Sequence, residues 1–139
     1  MIIKRTFLVV LLVGIAIFGQ GCFVVAVGVG AAGTIAYVRG DLQSAESENI
    51  DVVYDASLQA LETLKIPMIS KSKDALSATI TARDAEDKRV RIKLKTISDT
   101  STKISIRIGT FGSETKSRLI YEKIRDILRE RQKSATPVE

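Results

Sequence analysis

Three successive stretches of this chain alternate apolar and polar residues, and each carries its apolar residues on one side. Leu76, Ala78, Ile80 and Ala82 alternate with Ser77, Thr79, Thr81 and Arg83. Val90, Ile92 and Leu94 alternate with Arg89, Arg91, Lys93 and Lys95, and Ile104, Ile106 and Ile108 with Lys103, Ser105 and Arg107. Side chains along a strand point to opposite faces in turn, so this pattern predicts a sheet covered on one side only. The links 84–88 and 98–102 are short and polar, which predicts hairpins and therefore consecutive antiparallel strands.

The flanking segments supply the cover. Asn49 is placed to cap a helix whose first turn holds Asp51. Ile50, Val53, Tyr54, Ser57, Leu58, Leu61 and Leu64 then form one apolar stripe at helical spacing, and Pro67 is expected to close it. Residues 41–48 read as a first strand and 66–71 as a short polar edge strand. Gly109 and Gly112 bracket a turn whose Phe111 is expected to plug the end of the sheet. Ser113 should cap a second helix, with Ile120, Ile124, Ile127 and Leu128 as its stripe. Two one-sided helices on one face of a one-sided antiparallel sheet make an α+β two-layer sandwich of order β-α-β-β-β-β-α. The expected domain spans 40–132, followed by a flexible tail, 133–139.

The N-terminal region reads differently. Lys4 and Arg5 lead into a short apolar run, then Gly19, Gln20, Gly21 and Cys22. A positive head, an apolar stretch and a small residue before the break form a secretory signal. Cys22 at the break predicts a bacterial lipoprotein signal over 1–21, with the thiol taking the lipid. Gly19 stands where such signals usually carry an aliphatic residue, and apolar character resumes in 23–38. An uncleaved spanning helix is therefore the alternative, self-associating through Ala26, Gly28, Gly30 and Ala32 at four-residue spacing. Both readings put the domain on the far side of a membrane from the cytoplasm, in the periplasm for a bacterium with two membranes. Gly28, Gly30 and Gly33 spell G-x-G-x-x-G, but without the strand and crossover that a dinucleotide site requires. The segment 22–39 reads as Gly-rich and membrane-proximal.

Composition narrows the chemistry. The chain carries one cysteine and no histidine, with net charge +5. An intramolecular disulfide is excluded, as is a histidine base or metal ligand. No cofactor or metal is expected, and no catalytic residues are assigned. Ser70, Lys71, Ser72 and Lys73 contain the residue types of a Ser–Lys pair but read as a solvated edge. Asp84, Glu86 and Asp87 crowd a hairpin tip, the pattern of a solubilising turn more than of a cation site.

The chain resembles the small bacterial lipoproteins that carry an uncharacterised domain of unknown function. The resemblance rests on Gly21-Cys22, on residues 37–42, on Ala60-Leu61-Glu62-Thr63-Leu64 and on Ile92-Lys93-Leu94-Lys95. Its most distinctive part is Ile106-Arg107-Ile108-Gly109-Thr110-Phe111-Gly112, followed by Ser117 and Ile124. It implies export, lipidation and the same order of elements. It implies no activity and no catalytic residues.

One surface stands out. Arg83, Arg89, Arg91, Lys93, Lys95, Lys103 and Arg107 should all leave the sheet on its uncovered face. The expected partners are the membrane, through Cys22, and anionic envelope material or an acidic envelope protein, through this face. Nucleic acid is not expected, because these strands carry no aromatic residue for stacking. An ordinary solvated face is the plain alternative. Thr110, Phe111, Gly112 and Ser113 form a second, weaker anion candidate at a helix start.

Overall fold

The structure is a computed structural model that describes residues 34–135. Its elements are β1 (Ala36–Val38), β2 (Asp41–Glu46), α1 (Ile50–Thr63), β3 (Met68–Lys73), β4 (Ser77–Arg83), β5 (Arg89–Ser98), β6 (Ser101–Ile108) and α2 (Glu114–Ala135). The strands form one antiparallel sheet in the order β1-β2-β6-β5-β4-β3. Both helices lie against one face, so the α+β two-layer architecture expected from the alternation is the one found. The core between the layers joins Leu42, Ile80, Ile92, Ile104 and Ile106 to Val53, Leu61, Ile120 and Ile124. Cys22, the expected signal over 1–21 and the glycines at 28, 30 and 33 lie outside the described residues, as do residues 136–139.

Local chemistry explains most boundaries. Asn49 caps α1, its side chain accepting from the Val52 N–H at 3.0 Å. The helix stops before Pro67 exerts its influence. Lys65 turns left-handed (φ 55°), its N–H donating to the Glu62 carbonyl while the Ile66 N–H reaches back to Leu61. That paired ending satisfies the last carbonyls of the helix, so Lys65, not Pro67, terminates it. The α1 stripe also includes Ala56 and Ala60, both buried. Ser57 is tolerated in the core because its hydroxyl donates to the Val53 carbonyl at 2.7 Å.

Several expectations shift. The sheet gains a strand ahead of residue 40, since Ala36–Val38 pairs with β2 through Tyr37 opposite Leu42. The edge strand β3 lies two residues later than the polar stretch 66–71. Leu76 does not join the apolar face of β4. Asp74 accepts from the N–H groups of Leu76 and Ser77, both at 2.8 Å, which folds Leu76 into the turn and leaves it exposed. Phe111 does not plug the sheet: it is 92% exposed. The backbone of its turn lies against Gly40 instead, while the ring stands in solvent.

Candidate functional site

The outer face of the sheet is set by the registers of β4, β5 and β6. Arg83 is opposite Arg89, Arg91 is opposite Arg107, and Lys95 is opposite Lys103. Lys93 lies between Thr79 and Ser105 in the row between. Seven cations thus share three adjacent strands, six of them in three like-charged cross-strand pairs. Directly opposed like charges cost stability, since each Cβ pair is separated by only about 5 Å.

Two of the seven are neutralised. Arg83 pairs with Asp87 at 2.8 Å in the β4–β5 hairpin. Arg107 is held from two sides: its Nε lies 3.0 Å from Asp41 at the start of β2, and its guanidinium also donates to the Arg39 carbonyl. Among the described residues, Arg89, Arg91, Lys93, Lys95 and Lys103 have no carboxylate within ion-pairing distance. This row of free cations is the most distinctive electrostatic feature of the domain.

The register also separates residues that adjacency in sequence had placed together. Ser70 and Ser72 pair with Thr81 and Thr79 on the outer face, whereas Lys71 and Lys73 pair with Ile80 and Ala78 on the helix side. Lys73 is engaged there by Asp51 and lies over the Tyr54 ring at 5.1 Å. Its hydrogen bond to Asp51 holds its pKa above the usual lysine value. Ser70 and Ser72 therefore have no strand neighbour lysine to act as their base.

The acidic hairpin tip is occupied by cations of the protein itself. Lys116, in the first turns of α2, reaches Asp84 at 2.8 Å and Glu86 at 2.6 Å. Asp84 also accepts from the backbone N–H groups of Glu86 and Lys88. The bond from Lys116 holds the carboxyls of Asp84 and Glu86 below their ordinary range and raises the lysine in return. The tip is a clamp between hairpin and helix.

Two groupings were not foreseen. The first is buried: Tyr121 on α2 donates to Glu46 and lies 2.6 Å from the Ser44 hydroxyl, both on the inner side of β2. Desolvation, with the Glu46 carboxylate beside it, pushes the phenol up to about 12. Tyr121 sits four residues after Ser117 and three before Ile124, so helical spacing alone marked it as inward. The second is a shallow cavity of about 690 Å³ at one end of the outer face. Arg83, Arg89, Arg91 and Arg107 line it together with Gly109 and Phe111. The basic strands and the glycine-flanked turn, read from sequence as separate candidates, belong to one site.

A family model described as a protein of unknown function (DUF3568) matches residues 5–127. The chain belongs to the DUF3568 family. No curated protein matches it. The family match covers every strand of the sheet and α2 as far as Ile127, so this DUF3568 chain contains the whole basic face within the matched region. No helix among the described residues is long and apolar enough to cross a membrane.

Proposed function

We propose that this protein is a membrane-anchored bacterial envelope lipoprotein whose small domain is a non-enzymatic binding module for anionic material. The single observation behind the binding role is the set of opposed cations on the outer face. Arg91 against Arg107 and Lys95 against Lys103 repel one another, and among the described residues Asp41 alone of the acids pairs with any of these four. An arrangement that costs folding stability is best accounted for by a ligand that offsets it. The anchor rests on the sequence: a Lys-Arg head, an apolar run and Gly21-Cys22. Catalysis finds little support, because the chain has no histidine and the Asp84 and Glu86 carboxylates are tied to Lys116.

Metabolic labelling with a lipid analogue tests the anchor. Label that is present in the wild type and lost in Cys22→Ser supports lipidation. No label in the wild type supports the uncleaved spanning helix. Cross-linking pull-down from intact cells tests the face. Charge reversal at Arg91 and Lys93 should weaken capture of anionic envelope material while circular dichroism stays unchanged, and undiminished capture removes the binding role.

A further inference from the structure

We propose that the Arg-lined end of the sheet docks edge-on to an anionic phospholipid surface, with Phe111 inserted among the acyl chains and the guanidiniums on the headgroup phosphates. The inference rests on the reading of the outer face as an anion-binding surface and names its ligand.

Four arginines converge where β4, β5 and β6 meet the turn before α2. Arg83 and Arg107 are held by Asp87, itself in the lining, and Asp41, which leaves Arg89 and Arg91 as the guanidiniums open to a phosphate. Guanidinium is the side chain best matched to phosphate, through its planar fork of donors. On the rim of the same cavity stands Phe111, the most exposed large apolar residue among those described, at 92%. Its turn is not slack. The Gly109 N–H donates to the Arg89 carbonyl at 2.8 Å, and the turn backbone is pressed against Gly40. A ring held outward in water, beside a cluster of cations, matches the layered chemistry of a bilayer surface: charge at the headgroups and hydrocarbon just beneath. A dissolved polyanion would use the arginines and leave the ring in water. An acidic protein would need an apolar pocket for a single aromatic on an otherwise charged face.

The chain contains no tryptophan, so Phe111→Trp creates a sole reporter. The full chain carrying it is reconstituted into vesicles of phosphatidylcholine alone, or of equimolar phosphatidylcholine and phosphatidylglycerol, with brominated acyl chains as quencher. Quenching should be roughly twofold or more stronger in the anionic vesicles and should fall with added salt. It should be lost in Arg89→Glu/Arg91→Glu, and in Arg89→Gln/Arg91→Gln should the reversal unfold the domain. A tryptophan at Leu119, exposed on α2, should show no such dependence. Absent quenching, or equal quenching in neutral and anionic vesicles, overturns lipid docking. Titration with tripolyphosphate separates the two readings. If it still binds in an Arg89- and Arg91-dependent way, the face takes anions but not lipid. If it does not bind either, the anion reading falls too.

Discussion

Gly40 and Gly112 interlock across seventy-odd residues of chain. Both are left-handed, at φ 87° and 85°. A Cβ at Gly112 would lie 2.5 Å from both the Gly40 Cα and the Tyr37 hydroxyl, and one at Gly40 would overlap the Phe111 carbonyl. The β1–β2 turn and the turn before α2 are therefore one contact, and neither glycine has room for a side chain.

Gly40→Ala and Gly112→Ala should each destabilise the domain by about 2–4 kcal/mol, since left-handed strain adds to a backbone overlap that cannot relax cheaply. Gly109→Ala is the control. It shares the positive φ but meets only the Lys88 side chain, at 3.8 Å, so about 1 kcal/mol is expected. Urea unfolding midpoints would read the difference, and equal losses at all three positions would show that the interlock contributes nothing.

Tyr121 makes stability depend on alkaline pH. An unfolded tyrosine loses its proton near 10.0, whereas the buried phenol holds it to about 12. Unfolding therefore releases a proton between those values. The contribution is complete below the lower one and declines by about 1.4 kcal/mol per pH unit as pH rises through the window. Tyr121→Phe should cost about 1–3 kcal/mol at neutral pH, because Glu46 loses its buried donor. The gap between wild type and variant should narrow above pH 10. A gap constant with pH would show that the phenol is not held protonated by the fold.

The opposed cations predict a trade. Lys95→Glu places an acid directly opposite Lys103 and should raise stability by about 0.2–1 kcal/mol. The same change should weaken capture of anionic material. Thermal melts paired with pull-down would show both, and a destabilised variant would mean the row carries no repulsion to relieve.

The clamp at the hairpin tip acts at the acid end. Asp84 has its carboxyl pKa lowered, chiefly by Lys116, so its contribution is present above the ordinary carboxylate range and is lost as pH falls through the lowered value. Lys116→Met should move the Asp84 carboxyl back toward the usual value in a carbon-13 titration. An unmoved resonance would assign the shift to the backbone N–H groups alone.

Much of the fold was legible because the inner residues of β4, β5 and β6 keep strict period two and are joined by short links. Asn49 announced its cap by residue type. What escaped the sequence was long-range or depended on side-chain fit. Nothing in residues 41–46 states that this strand pairs with β1 on one side and with the distant β6 on the other. Tyr37 and Val38 looked like the end of an apolar run, although they pair in β1. The place of Phe111 in a glycine-bracketed turn suggests a plug for the sheet end, yet it is the Phe111 carbonyl that lies against Gly40, a contact that local pattern does not encode. The basic face was readable residue by residue. Its union with the Phe111 turn required the registers that bring Arg91 and Arg107 side by side.

The pairing of β2 with β6 carries a consequence for how the molecule assembles. Ala45 lies opposite Lys103, so their pairing closes a loop that holds α1 and the whole meander from β3 to β5. The hairpins of β3 to β6 close over a handful of residues each, so they are the natural early structure, and the N-terminal pair completes the sheet last. A chain that emerges amino end first would therefore hold one edge of β2 open until β6 has emerged. Pulsed hydrogen exchange should find the β4 and β5 amides shielded before those of β2.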